Sequence, residues 1–285
     1  MNTPQLIWDC RCELAEGPVW VARDRAVWFV DIKGRQLHRY RIDDGETTSW
    51  PTPDQTGFAL PAEDGSLICG VRSGLHRFDP ATGRFDLLAK IEPDRPQNRL
   101  NDGFVAPDGS LWFGSMDDSE ATVSGALYRF ADGRLTRHDD GYRVTNGPAM
   151  SPDGSVLYHN DTTERRIYAF DHLDGALSNK RLFAETTDGF ADGPSVDSAG
   201  VVHVGLFNGY GIARFSPEGE RIGKIDFPVR TVTKAAFGGD DLRTLYCTTA
   251  WLSQDTALRA VEPTLGGLYQ VRVDTPGLPQ ALIRL

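Results

Sequence analysis

The chain has 285 residues with ordinary globular proportions of apolar (40%) and charged (25%) side chains, and no Pro-rich, Ser/Gly-rich or charge-block segment divides it, so a single domain over 1–285 is expected. A net charge of −10, from 40 acidic and 30 basic residues, argues against nucleic acid, which needs a basic footprint, and disfavours an anionic membrane surface. No run approaches the roughly 18 apolar residues of a membrane span.

The opening MNTPQLIWDCRCEL has neither a basic n-region nor an apolar h-region and does not read as a signal peptide. Cys10, Cys12, Cys69 and Cys247 are too few for a disulfide framework and read as reduced thiols of a cytoplasmic protein. Cys10 and Cys12 are two apart and would share one face of a strand, but they lack the second pair that a cysteine metal site needs. The strand-like run Leu6-Ile7-Trp8 is expected to pair with the far end of the chain.

From Pro18 onward one phrase recurs six times, starting at Pro18, Phe58, Phe104, Pro148, Pro194 and Ala235, at intervals of 40, 46, 44, 46 and 41 residues. Unit one runs through PVWV, the strand Val27-Trp28-Phe29-Val30 and LHRYRID. Unit two turns at Asp64-Gly65 and ends in GLHRFDP. Unit three turns at Asp108-Gly109 and continues through Leu111-Trp112-Phe113 to GALYRFAD. Unit four turns at Asp153-Gly154 and continues through Val156-Leu157-Tyr158 to RIYAFDH. Unit five turns at Ala199-Gly200 and continues through Val201-Val202-His203-Val204 to GIARFSP. Unit six holds Leu245-Tyr246-Cys247 and GGLYQVRVD. Asp-Gly pairs tolerate the positive φ of tight hairpins. No long segment has helical period, which excludes helical solenoids. Short strands at this spacing, about four per unit, predict an all-β fold, a six-bladed β-propeller.

Two residues before each start sit Glu16, Thr56, Asp102, Asn146, Asp192 and Thr233. The first strand of a propeller blade lines the central channel, so these side chains are expected to ring one mouth of it, just ahead of the strand. In Glu16-Gly17-Pro18, Asn146-Gly147-Pro148 and Asp192-Gly193-Pro194 the glycine permits a tight turn and the proline fixes φ at the strand start. Two carboxylates and an amide oxygen are hard donors that suit one divalent cation, with Ca²⁺, Mg²⁺, Mn²⁺, Fe²⁺ and Zn²⁺ all acceptable. Three protein ligands leave positions open for water and substrate. Ordinary turn residues are the competing reading, and Thr56 and Thr233 fit it better than the others.

AEGPVW at 15–20, RLNDGFVAPDGSLWFGSM at 99–116, TNGPAMSPDG at 145–154, DTTERRIYAFD at 161–171, FGGDDLRTLYCTTA at 237–250 and GGLYQVRVDTPGLP at 266–279 together resemble the regucalcin/gluconolactonase (senescence marker protein-like) family, six-bladed propellers that hydrolyse sugar lactones. The resemblance implies that Glu16, Asn146 and Asp192 bind the metal, that Arg99 and Asn101 hold the substrate and that Asp192 doubles as proton carrier. Asn101 is the family's choice where the repeat phase selects Asp102; a bulged strand entry can shift a side chain by one. Glu120, in the loop after GSM, is the nearest candidate for a further substrate contact. The chain departs from the family at Ala106, Pro148 and Ala191, and none of these replaces a ligand.

The implied reaction is metal-dependent hydrolysis of an aldonolactone such as xylonolactone, arabinonolactone or gluconolactone, fitting pentose catabolism. The alternatives are a related propeller esterase or phosphotriesterase and a non-catalytic Ca²⁺-binding propeller; no obligate protein partner is evident. Ser110, Ser115 and Ser151 lack a G-x-S-x-G context. His159 and His203 read as packed or hydrogen-bonded strand residues, and His38, His76, His138 and His172 as exposed ones.

Overall fold

The computed structural model describes residues 3–252 and 256–285. Among these residues the strands form six four-stranded sheets. Blades one to five comprise residues 15–51, 56–90, 98–142, 145–185 and 190–226, and blade six 232–272. Their innermost strands touch in a closed circle, with Ala15–Val21 of blade one meeting both Thr56–Pro61 of blade two and Val232–Gly238 of blade six. The architecture is the six-bladed β-propeller that the repeat predicts. Blade six takes its outermost strand from the opposite end of the chain, since Gln5–Trp8 pairs antiparallel with Leu268–Arg272. No helix among the described residues is long and apolar enough to cross a membrane. One short α-helix among the described residues, Thr256–Val261, lies between the last two strands, Thr244–Thr249 and Leu268–Arg272.

Burial follows position in the blade. Inner strands such as Ala15–Val21 and second strands such as Leu111–Asp117 are buried throughout, because neighbouring blades cover both faces. Outer strands such as Arg84–Lys90 are mostly exposed. The apolar core therefore lies between blades rather than inside one. Between blades one and two, Trp28 stacks on Trp50 at 5.1 Å and meets Phe78 edge-on at 6.3 Å. The expected turn glycines Gly65, Gly109, Gly154 and Gly200 adopt φ of 95°, 85°, 71° and 83°. In the first three turns the preceding aspartate accepts the N–H of the following serine: Asp64 from Ser66, Asp108 from Ser110, Asp153 from Ser155.

The channel-lining polar residues differ from expectation in one respect. They do not precede the inner strand; they lie within it, at a β-bulge that recurs in every blade. The register shifts between Glu16 and Val19, Thr56 and Ala59, Leu100 and Gly103, Asn146 and Ala149, Ala191 and Pro194, and Val232 and Ala235. Each time the inner strand carries one residue more than its partner, which re-aims side chains toward the axis. Blade three places both Asn101 and Asp102 in its bulge, so repeat phase and family motif each select a channel residue. The glycines beside them are forced by close approach as well as by turning. A Cβ on Gly147 would stand 2.8 Å from Pro194, and one on Gly193 2.6 Å from Lys234.

Four histidines expected to be exposed are not. His38 and His76 are buried, because Trp8 packs edge-on against the first at 5.3 Å and Ser73 caps the second at 2.8 Å. His138 and His172 are half-buried against Trp112. His159 packs edge-on against Tyr142, and His203 bonds Asp197 at 3.1 Å, as expected of strand residues. The C-terminal residues cross the opposite mouth of the channel. Gly277 bridges to Asp197 of blade five and Ile283 to Ala62 of blade two, and a cavity of about 410 Å³ lies between residues 278–281 and the inner strands.

Candidate active site

The bulges bring together, at one mouth of the channel, side chains from five blades. Glu16 of blade one and Asp192 of blade five lie close enough for each charge to act on the other, and they are 5% and 4% exposed. Asn101 of blade three donates its Nδ2 to the Asn146 Oδ1 of blade four at 3.0 Å. Asp102 of blade three pairs with Lys234 of blade six at 2.6 Å, and its second oxygen accepts the Gly147 N–H at 2.8 Å. The sequence reading did not single out Lys234.

The Asn146 amide has a defined orientation. Its Nδ2 donates to the Thr162 hydroxyl at 2.9 Å, and that hydroxyl spends its own proton on the Ala191 carbonyl at 2.7 Å. Thr162 can then only accept from Asn146, so the amide oxygen is the atom left facing its neighbours at the axis. The strand partner of Asn146 is Asn160, which donates to the Asp192 backbone carbonyl.

The charges are unbalanced. Glu16, Asp102 and Asp192 are buried together with the Lys234 ammonium among them. Burial, with the Asp102 charge behind it, pushes Glu16 up to about 7. Burial, then Glu16 and Asp102, holds Asp192 well above the ordinary carboxylate range. Asp192 Oδ1 and Asn160 Oδ1 are buried and have no hydrogen-bond partner among the described residues. A carboxylate oxygen in that state is costly unless a cation or a proton answers it. The oxygen-only donor set of Glu16, Asn146 and Asp192 therefore fits a hard or borderline divalent cation.

Arg99 stands beside this group in a network of its own. Its Nη1 donates to Asn101 Oδ1 at 2.5 Å and its Nε to Asp118 Oδ1 at 2.8 Å. Asp118 also takes Lys33 Nζ of blade one at 2.7 Å and Gln55 Nε2 of blade two at 3.1 Å. Burial lowers the Arg99 pKa and Asp118 counters it. The guanidinium is thus fixed by three blades, and its Nη2 has no hydrogen-bond partner among the described residues. Glu120 is exposed at φ 57°, with its backbone carbonyl held by Arg143 at 2.8 Å. It acts on Arg99 by charge and makes no hydrogen bond to it among the described residues.

Asp118, Lys33, Thr162 and Lys234 had a weaker sequence signal. Thr162 lies in DTTERRIYAFD, and Lys234 follows the phase residue Thr233 by one, whereas Asn101 precedes the phase residue Asp102 by one.

Comparison with known proteins adds to this geometry. The family profile described as "SMP-30/Gluconolactonase/LRE-like region" matches residues 14–251. The chain is 33% identical over 274 residues to a 6-deoxy-6-sulfogluconolactonase of Pseudomonas putida, covering 94% of each chain. It is 33% identical over 284 residues to an L-arabinolactonase of Azospirillum brasilense, covering 97% of this chain and 94% of that one. A crystal structure of a calcium-binding protein, regucalcin, from Agrobacterium tumefaciens superposes with a TM-score of 0.96 at 27% identity, covering 100% of this chain and 98% of the other. On the extent of that profile and the identity across nearly the whole chain, the protein belongs to the SMP-30/gluconolactonase/LRE-like family.

Proposed function

We propose that this protein hydrolyses a sugar lactone to its aldonic acid, using one divalent cation held by Glu16, Asn146 and Asp192. The observation that carries the reading is the buried oxygen cluster of those residues set directly beside the fixed Arg99–Asn101 pair. Relatives named for sugar lactone hydrolysis support it.

A lactone is a cyclic ester. Its opening needs a polarised carbonyl, an activated water and a place for developing negative charge. The cation, when bound, supplies the Lewis acidity that polarises the carbonyl and steadies that charge. Arg99, locked by Asp118 and Asn101, presents its remaining N–H groups to substrate hydroxyls and fixes the ring's orientation. Asp192 takes a proton from the attacking water as its oxygen bonds to the carbonyl carbon. It returns that proton to the ring oxygen when the ring C–O bond breaks. One positioned acid–base group contributes about 10²–10⁴ in rate. Lactone and water are consumed, and the acid formed releases one proton at neutral pH. Pentono- and hexonolactones are the substrate class, and Glu120, exposed in the loop after Asp118, is the candidate for a contact to the substrate's far hydroxyls.

The test is proton release on adding fresh xylonolactone, arabinonolactone or gluconolactone, with cation and after chelation, against a no-enzyme control for spontaneous opening. Release above the control that vanishes on chelation is expected. Tight cation binding with no excess release would favour the second reading, a propeller that only binds Ca²⁺, which the likeness to a calcium-binding regucalcin keeps in view.

A further inference from the structure

A second group of metal-ligating side chains meets at the seam between blade one and blade six, with a donor set unlike that of the axial cluster. Cys12 is buried in the segment leading into Ala15–Val21, Asp31 ends the strand Ala26–Asp31, and His38 lies in Gln36–Arg41. One ligand atom from each lies within 4.8 Å of the others. The Cys12 Sγ stands 3.6 Å from His38 Nε2. Zinc bonds of about 2.3 Å to sulfur and 2.05 Å to nitrogen, at the tetrahedral angle, require an S–N edge of about 3.6 Å.

The surroundings orient this group as an outer shell orients ligands. His38 Nδ1 is 2.8 Å from Ser49 Oγ, an acceptor for an Nδ1 proton that leaves the Nε2 lone pair toward Cys12. The Asp31 carboxylate is anchored by the N–H groups of Glu13, Leu14 and Gly34 at 2.9, 3.0 and 3.0 Å, three of its roughly four acceptor positions. Cys10 stands outside that 4.8 Å group but near Cys12, with Arg11 between the cysteines in a left-handed φ of 58° and the two thiols close enough to act on each other. Cys10 Sγ and the Cys12 N–H both donate to the Gly266 carbonyl, at 3.1 and 2.9 Å, beside the last strand of blade six. The apolar cluster around Cys12 mixes Ala15 and Phe29 of blade one with Tyr246 and Leu268 of blade six. Sequence spacing offered only the two cysteines; the fold supplies the other pair of donors.

We propose that Cys10, Cys12, His38 and Asp31 form a second cation site, for a thiophilic divalent ion such as Zn²⁺, that staples the seam where the propeller closes. Binding exchanges two thiol protons for the ion and involves no redox step. The site is independent of lactone hydrolysis.

The experiment uses reduced, metal-stripped protein with Co²⁺ as the spectroscopic probe. In a Glu16→Gln/Asp192→Asn background, which weakens the axial cluster, one equivalent of Co²⁺ is expected to give a thiolate-to-cobalt charge-transfer band and intense tetrahedral visible absorption. Zn²⁺ should displace it and raise the melting temperature, as any ligand specific to the folded state does. Cys10→Ser, at a half-buried position, and His38→Asn should each lower the Co²⁺ affinity by about tenfold or more. In the otherwise wild-type protein, Cys10→Ser should leave lactone turnover within about twofold of the parent, a readout separate from the axial site. No charge-transfer band in the folded, reduced wild type overturns the proposal. So does a band that survives Cys10→Ser and Cys12→Ala unchanged.

Discussion

Asn146 and Thr162 are joined by a 2.9 Å hydrogen bond in which the direction of donation is decided, because the Thr162 proton is already committed to Ala191. This fixes the amide oxygen of Asn146 toward the channel. Thr162→Val removes the acceptor and keeps the shape. Cation affinity is expected to fall by about 10–100-fold, the usual cost of losing an outer partner of a ligand. Isothermal titration with Ca²⁺ or Zn²⁺ measures it, and an unchanged Kd would contradict the orienting role.

Asp192→Asn separates cation binding from turnover. An amide oxygen still offers a ligand but carries no exchangeable acid–base proton. The variant should retain weakened cation binding and lose about 10²–10⁴ in kcat. Full activity with the cation retained would reject Asp192 as the proton carrier.

Arg99→Lys keeps the positive charge and loses the planar fork that spans Asp118 and Asn101. The lactone KM is expected to rise while cation Kd stays close to wild type. Steady-state kinetics beside cation titration gives both numbers. A weaker cation Kd with unchanged KM would place Arg99 in the cation site instead.

In the cation-free protein Glu16 binds its proton up to about 7, against an ordinary value of 4.5. Between those values the folded chain holds more protons than the unfolded one, so this group's stability contribution is present below about 4.5 and is lost as pH rises to about 7. His38 and His159, lowered by burial to about 4 and about 3, act in the opposite sense over part of the same range. The difference in urea stability between wild type and Glu16→Gln cancels the histidines. In EDTA that difference should shrink from pH 5 to pH 8 and be restored by added cation; a difference that grows with pH would refute the assignment.

Phe58 is fully buried between blades, with Gly70 and Gly103 so close that a Cβ on either would press on its ring at 2.2 and 3.0 Å. Phe58→Ala opens a cavity that rigid strands cannot fill, and a loss of about 3–5 kcal/mol is expected in urea denaturation. A loss below about 1 kcal/mol would mean that the interblade seam relaxes freely.

The propeller was legible in the sequence because its signals are local and repeated: Asp64-Gly65, Asp108-Gly109 and Asp153-Gly154 each make the turn that their residue types prefer. The polar phase was legible for the same reason, and Glu16, Asn146 and Asp192 all lie in channel bulges or at their edges. A bulge adds one residue without any compositional mark, so spacing alone could not separate Asn101 from Asp102 or pass from Thr233 to Lys234. Thr233 itself is structural, bonding the Ala15 carbonyl at 2.7 Å and Thr248 at 2.8 Å. His38 was misread because its burial comes from Trp8 and from the seam with blade six, partners that no local window contains.

Residues 277–283 lie across the far opening between blades five and two and roof that end of the channel. If the protein is the lactonase proposed above, water, lactone and acid would trade places through the opposite doorway. On that reading a departing aldonate would obstruct the next lactone for as long as it lingers, and turnover at high product would be governed by how quickly that doorway clears.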